Sequence, residues 1–158
     1  MMNLLSFEKG GLDATDARIL ARLAENARIS TADLARSVGL SAPSVAERVR
    51  RLEDRGVIAG YAARIAPAAI GYPISAWLRI RPVPGELARV AGIIRGIPEI
   101  TECDRVTGED CFVARAHVAA VTDLERIIDQ IIPYAMTNTA IVQSSPVAAR
   151  MPPLKVSG

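Results

Sequence analysis

Between Ser41 and Arg55 the chain gathers Ser41, Pro43, Ser44, Glu47, Arg48, Arg50, Arg51 and Arg55. Guanidinium forks and short polar side chains at this density suit a nucleic acid, whose phosphates take arginine and whose base edges take directional hydrogen bonds. The rest of the chain is poor in other chemistry. His117 is its only histidine, and Cys103 and Cys111 lack the CxxC spacing of a metal or redox motif. No nucleophilic triad or P-loop is present, so no enzymatic activity and no cofactor are expected.

The residues in question need a helix to aim them. Ser41 is a good N-cap, Pro43 falls in the first turn, and Val45, Val49 and Leu52 form an inward stripe. A step of about 100° per residue then turns Pro43, Glu47, Arg50, Arg51 and Asp54 outward, with Ser44 and Arg48 on the flank. Ahead of it, Ser30 with Asp33 opens a helix striped by Leu34, Ala35 and Val38, and Gly39 follows where a left-handed turn is cheapest. Asp13, with Asp16 three residues on, opens a still earlier helix carrying Ile19, Leu20 and Leu23 and ending near Asn26.

Small Ala35, turn-forming Gly39 and plugging Val45 are the spacing of a helix-turn-helix. The N-terminal half of the second helix of such a pair enters the major groove. Ser41, Pro43, Ser44, Glu47 and Arg48 are thus expected to face bases, and Arg50, Arg51 and Arg55 to meet phosphates. Arginine and glutamate at close spacing also describe a solvated face with intrahelical ion pairs; the glycine turn and the two preceding helices favour DNA.

After Gly56, residues 57–65 read as an extended linker strand, followed by a short helical turn at residues 67–70 and Gly71. From Ile74 the period becomes 2. Ile74, Ala76, Leu78 and Ile80 line one strand face; Ser75, Trp77, Arg79 and Arg81 line the other. A helix with Leu87, Val90 and Ile94 comes next. Strands over residues 100–106 and 111–118 flank a turn at residues 107–110. Thr122 with Glu125 reads as a capping box for a second helix, stopped by Pro133, and a last strand spans residues 137–147. The order βαββαβ predicts a four-stranded antiparallel ferredoxin-like sheet with both helices on one face.

Phe112, Ala114, Ala116 and Val118 suit the covered face. Trp77 and Val113 on the bare face predict a two-fold dimer contact. If Val106 faces Cys111, Cys103 lies opposite Ala114 on the other side of the sheet, and no disulfide forms within the hairpin.

Charge distribution agrees. Residues 1–66 hold 10 Lys/Arg against 8 Asp/Glu, while residues 67–158 hold 9 against 9, so the whole excess of +2 belongs to the helical part. No apolar run reaches bilayer length and no signal segment opens the chain, which predicts a cytoplasmic protein with no membrane partner.

Leu12-Asp13…Asp16…Ile19-Leu20, Leu40-Ser41, Arg48-Val49-Arg50-Arg51-Leu52-Glu53…Gly56-Val57-Ile58…Gly60-Tyr61, Gly71, Pro98-Glu99-Ile100…Cys103…Val106-Thr107-Gly108 and Thr139…Val142 together closely resemble the Lrp/AsnC (feast/famine) family of transcription regulators. The resemblance spans about Leu12 to Val147.

It implies an α+β protein with an N-terminal helix-turn-helix (winged-helix-like) domain and a ferredoxin-like ligand-sensing domain. Double-stranded DNA, a small-molecule effector such as an amino acid, and homodimers building to octamers are the implied partners. The effector would sit by the loop Thr107, Gly108, Glu109, Asp110 and Cys111. The family pattern has Thr-Gly, two residues, then Asp; here Cys111 holds the Asp position and Asp110 comes one early. Either Glu109 or Asp110 substitutes, or the effector is not a simple amino acid.

The expected organisation is a flexible leader (1–11), the helix-turn-helix (12–60), a linker (61–73), the sensing domain (74–150) and a tail (151–158). Two rival functions remain. Relatives of the fold serve as sirohaem decarboxylases, for which a chain with His117 alone is poorly equipped; an oligomeric sensor that does not bind DNA is the other.

Overall fold

The computed structural model describes residues 11–156; the expected leader, Gly11 apart, lies outside them. Two compact units are formed, residues 11–63 with residues 149–156 as the first and Arg64–Ala148 as the second.

In the first unit each helix starts on a side-chain cap. The Asp13 carboxylate accepts from the Asp16 amide at 2.7 Å and opens α1, Ala14–Glu25. Ser30 Oγ accepts from the Asp33 amide at 3.1 Å and opens α2, Thr31–Val38. Ser41 Oγ accepts from the Ser44 amide at 3.4 Å and opens α3, Ala42–Asp54. Such caps are each worth about 1 kcal/mol. Gly39 joins α2 to α3 at φ 72°, and a Cβ there would meet nothing within 4 Å, so glycine is demanded by the left-handed backbone and not by crowding.

Ile19, Leu20, Leu34, Ala35, Val38, Val45 and Leu52 make the core, with Leu12, Val49 and Leu154 packed at its edge. The predicted linker strand over residues 57–65 is not formed. The Val57 and Ile58 amides turn back to Leu52 O at 2.9 and 3.1 Å, closing the end of α3, and no neighbouring strand offers a ladder. Among the described residues this unit has no β-hairpin wing; its β pairing is the isolated parallel bridge Leu12–Val156.

The second unit begins with a 3-10 turn, Pro67–Ile70, ending on Gly71 at φ 96°. Its sheet has the order β2-β3-β1-β4, all neighbours antiparallel: β1 Ile74–Pro82, β2 Ile100–Arg105, β3 Phe112–Val118 and β4 Ala135–Ile141. This is the ferredoxin-like arrangement. Helices α4, Leu87–Arg95, and α5, Val121–Ile131, pack on one face. There Ala76, Leu78, Ile80, Phe112, Ala114, Ala116 and Val118 are buried against Val90, Ile94, Leu124, Ile127 and Ile131.

Several details differ from expectation, among them the start of the last strand at Ala135 and not at 137. The last strand ends at Ile141 and not at 147, because the Val142 amide to Ser75 O (2.8 Å) already lies at the start of β1, and beyond it there is nothing to pair with. The cap of α5 is not the Thr122–Glu125 box: Asp123 Oδ2 accepts from the Ala120 amide at 3.0 Å, so the helix starts at Val121. A bulge at Thr101 shifts the β2–β3 register between Ile100 and Glu102. Beyond it Cys103 pairs with Ala114, as the turn length implied, and both cysteines are free.

Candidate nucleic-acid interface

The stripe that anchors α3 is set by Val45 and Leu52, both fully buried. Opposite them Pro43, Ser44, Glu47, Arg50 and Arg51 are exposed, as the helical step requires, and Arg55 is exposed just past the helix end. Ala46 is exposed in the same N-terminal half and was not singled out by the sequence. A short side chain there carries no polar signal, although it allows close approach of a bound partner. Ser41 is occupied at the helix start, with its hydroxyl also 2.8 Å from Ser44 Oγ. Glu47 Oε2 accepts from Arg50 Nη2 at 2.7 Å, and with both side chains about two-thirds exposed the pair contributes little to stability.

Arg48 behaves differently. Its side chain is 29% exposed, and Nη1 donates to Asp13 Oδ2 and to Asp16 Oδ1, both at 2.7 Å. The remaining Asp16 oxygen, Oδ2, accepts from Arg51 Nη2 at 3.3 Å. Asp16 itself is 2% exposed, the one charged residue buried among the described residues. The Arg48 hydrogen bond, with help from the Asp16 amide, holds the Asp13 carboxyl below its ordinary range; its bonds to Asp13 and Asp16 push the Arg48 guanidinium up. Arg48, one of the residues expected to face bases, is thus bonded to two carboxylates at the start of α1. Local spacing marks Asp13 and Asp16 as cap and first-turn acids only, since partners 35 and 32 residues away leave no trace in it.

In the second unit the loop after β2 turns on Gly108 at φ 109°. Both of its acids face β1: Glu109 Oε2 accepts from Arg81 Nη2 at 2.6 Å, and Asp110 Oδ2 from Arg79 Nε at 2.8 Å. The Cys111 amide donates to Ile80 O at 3.0 Å, with its side chain partly buried. Thr107 is exposed.

The uncovered sheet face carries Trp77, 38% exposed, beside half-buried Val113, with the Arg115 guanidinium 5.3 Å from the indole centroid. Ser75 Oγ lies 2.8 Å from His117 Nδ1 on that face. Burial, then the charge of Arg115, lowers the His117 pKa against the opposing pull of Glu102. Among the described residues no group of three His, Cys, Asp or Glu is placed to hold a metal, and no helix is long and apolar enough to cross a membrane.

Comparison with known proteins places both units. Residues 12–53 match the AsnC-type helix-turn-helix domain, and residues 75–152 the Lrp/AsnC ligand binding domain. The HTH-type transcriptional regulator YezC of Bacillus subtilis is 36% identical over 134 residues, covering 85% of this chain and 95% of that protein. The solved structure of Bacillus subtilis LrpC has a TM-score of 0.82 at 30% identity over 87% of this chain and 99% of that one. A transcriptional regulator of Neisseria meningitidis, solved in complex with L-Met, has a TM-score of 0.82 at 26% identity over 89% of this chain and 96% of that one.

Proposed function

The chain belongs to the Lrp/AsnC family of HTH-type transcriptional regulators, and from that premise we propose how it works. Copies pair through the bare sheet face around Trp77 and Val113 and build higher assemblies, up to an octamer. The paired α3 helices reach successive major-groove segments, roughly 10 base pairs apart. Pro43, Ser44 and Glu47 face bases, and Arg50, Arg51 and Arg55 face phosphates. The observation that carries this reading is a capped α3 with one wall buried at Val45 and Leu52 and the opposite wall exposed along its N-terminal half.

A small molecule near Thr107, Gly108, Glu109, Asp110 and Cys111 adjusts the assembly. The neighbour solved with L-Met supports an amino acid or a related compound. The pairing of Glu109 and Asp110 with Arg81 and Arg79 means that an effector ammonium group must compete with a guanidinium for either carboxylate. A tetrapyrrole decarboxylase is not favoured: the curated relatives are named as regulators. We place the protein in the cytoplasm, acting without enzymatic turnover.

Sequencing the genomic fragments retained by the full chain, with and without L-methionine, tests the reading. A defined set of fragments should emerge whose affinity falls steeply with salt, because arginine–phosphate contacts release counterions. Failure to retain any duplex at low salt would sink it.

A further inference from the structure

We propose that Arg48 is a positioning residue: through buried Asp16 it sets the orientation of α3 on α1, and it reads no base. The inference rests on DNA being read by α3. Its starting point is Asp16, whose carboxylate is enclosed and whose two oxygens are taken by two residues of the same helix, Arg48 and Arg51. One acid on α1 therefore ties α3 at two positions nearly one turn apart, which restrains roll as well as distance.

Arg48 is the tight tie. Its Nη1 serves Asp13 and Asp16 together at 2.7 Å, and swinging it into a groove would break both charge-assisted bonds. It would also leave the enclosed Asp16 facing only the longer Arg51 contact. Arg51 is the loose tie. Its side chain is 49% exposed at 3.3 Å, so a phosphate can draw it away while Asp16 stays held by Arg48. The two arginines on one carboxylate thus have separate tasks, one fixing the helix and the other exchanging partners when DNA arrives.

The test compares binding of the full chain to a duplex it has selected from a random pool with binding to a random duplex of equal length. Arg48→Ala and Asp16→Asn should each lower the selected-to-random affinity ratio by about tenfold or more, and the double variant should lower it no further. Affinity for the random duplex and its salt slope should stay unchanged in Arg48→Ala, because no phosphate contact is lost. Arg48→Lys should recover part of the ratio, since an ammonium still reaches Asp16. Arg51→Ala should weaken both duplexes alike and reduce the salt slope by about 1.

Loss of the ratio in Arg48→Ala with its retention in Asp16→Asn would mean that Arg48 reads bases and would overturn the proposal. A lowered thermal midpoint with an unchanged ratio in the folded variants would reduce the cluster to ordinary packing and overturn it too. Should either variant fail to fold, Asp13→Asn removes one Arg48 bond and spares the other. A smaller drop in ratio supports the proposal, and an unchanged ratio overturns it. Wild-type protein that selects no duplex would instead sink the DNA reading itself, before any variant is made.

Discussion

Two clusters of arginine and carboxylate, one in each unit, have nearly the same bond lengths and different consequences. Arg48 meets Asp16 at 2.7 Å; Arg79 meets Asp110 at 2.8 Å and Arg81 meets Glu109 at 2.6 Å. The Asp16 side chain is 3% exposed, whereas that of Glu109 is 87% exposed and that of Arg79 64%. Water and salt screen the second cluster and barely reach the Asp16 carboxylate of the first. Distance alone does not measure what an ion pair does: the enclosed Asp16 carboxylate has no water to turn to, and the exposed pairs trade with solvent at little cost. That suits an anchor beneath an exposed helix face, and it suits the proposal that the loop acids exchange their arginines for a ligand.

Urea unfolding would break or sharpen this contrast. The largest effect is expected for Arg48→Ala, about 3 kcal/mol, because an enclosed carboxylate loses its main partner. Asp16→Asn should cost less, since it strands two guanidiniums that already reach water. An equal or reversed order would show that Asp16 is not the costly member of the pair.

Next come Arg79→Ala and Arg81→Ala, each expected to change stability by no more than about 1 kcal/mol, with the difference shrinking in high salt. A salt-resistant loss would place that loop with the anchor. Smallest is a pH effect at His117. Its folded pKa is lowered, so the folded state favours the neutral ring. The stability this gives is complete above the unfolded value of 6.5 and declines as pH falls below it. Unfolding at pH 7.5 and 5.5 should show a small acid-side loss in the wild type that is absent in His117→Gln.

Cap chemistry is local, and so Asp13, Ser30 and Ser41 announced their helices correctly. Alternation along β1 and β3 likewise told which side chains would be covered, and the length of the turn told that Cys103 would meet Ala114. What stayed hidden depends on partners distant in the chain. The end of β4 is set by where β1 begins. The cap of α5 lies at Ala120 and not at Thr122, because Asp123 reaches back to the Ala120 amide, and an alanine carries no capping side chain to mark the place. Arg48 looked like a flank residue of a DNA-facing helix because its acids lie on α1. Glu109 and Asp110 looked like free ligand groups because their arginines lie on a neighbouring strand. The exposed wall of α3 was legible throughout, and the assignment of each arginine to a partner was not.

Residues 149–156 have one more consequence. Leu154 packs on the helical core and Val156 bridges to Leu12, so the helical unit leaves the chain at Ala63 and resumes at Ala149, with the whole sheet unit between. On the ribosome, every strand of the sheet has emerged before the helical unit can be closed. The helical unit is thus completed after the sheet unit already has its full sequence.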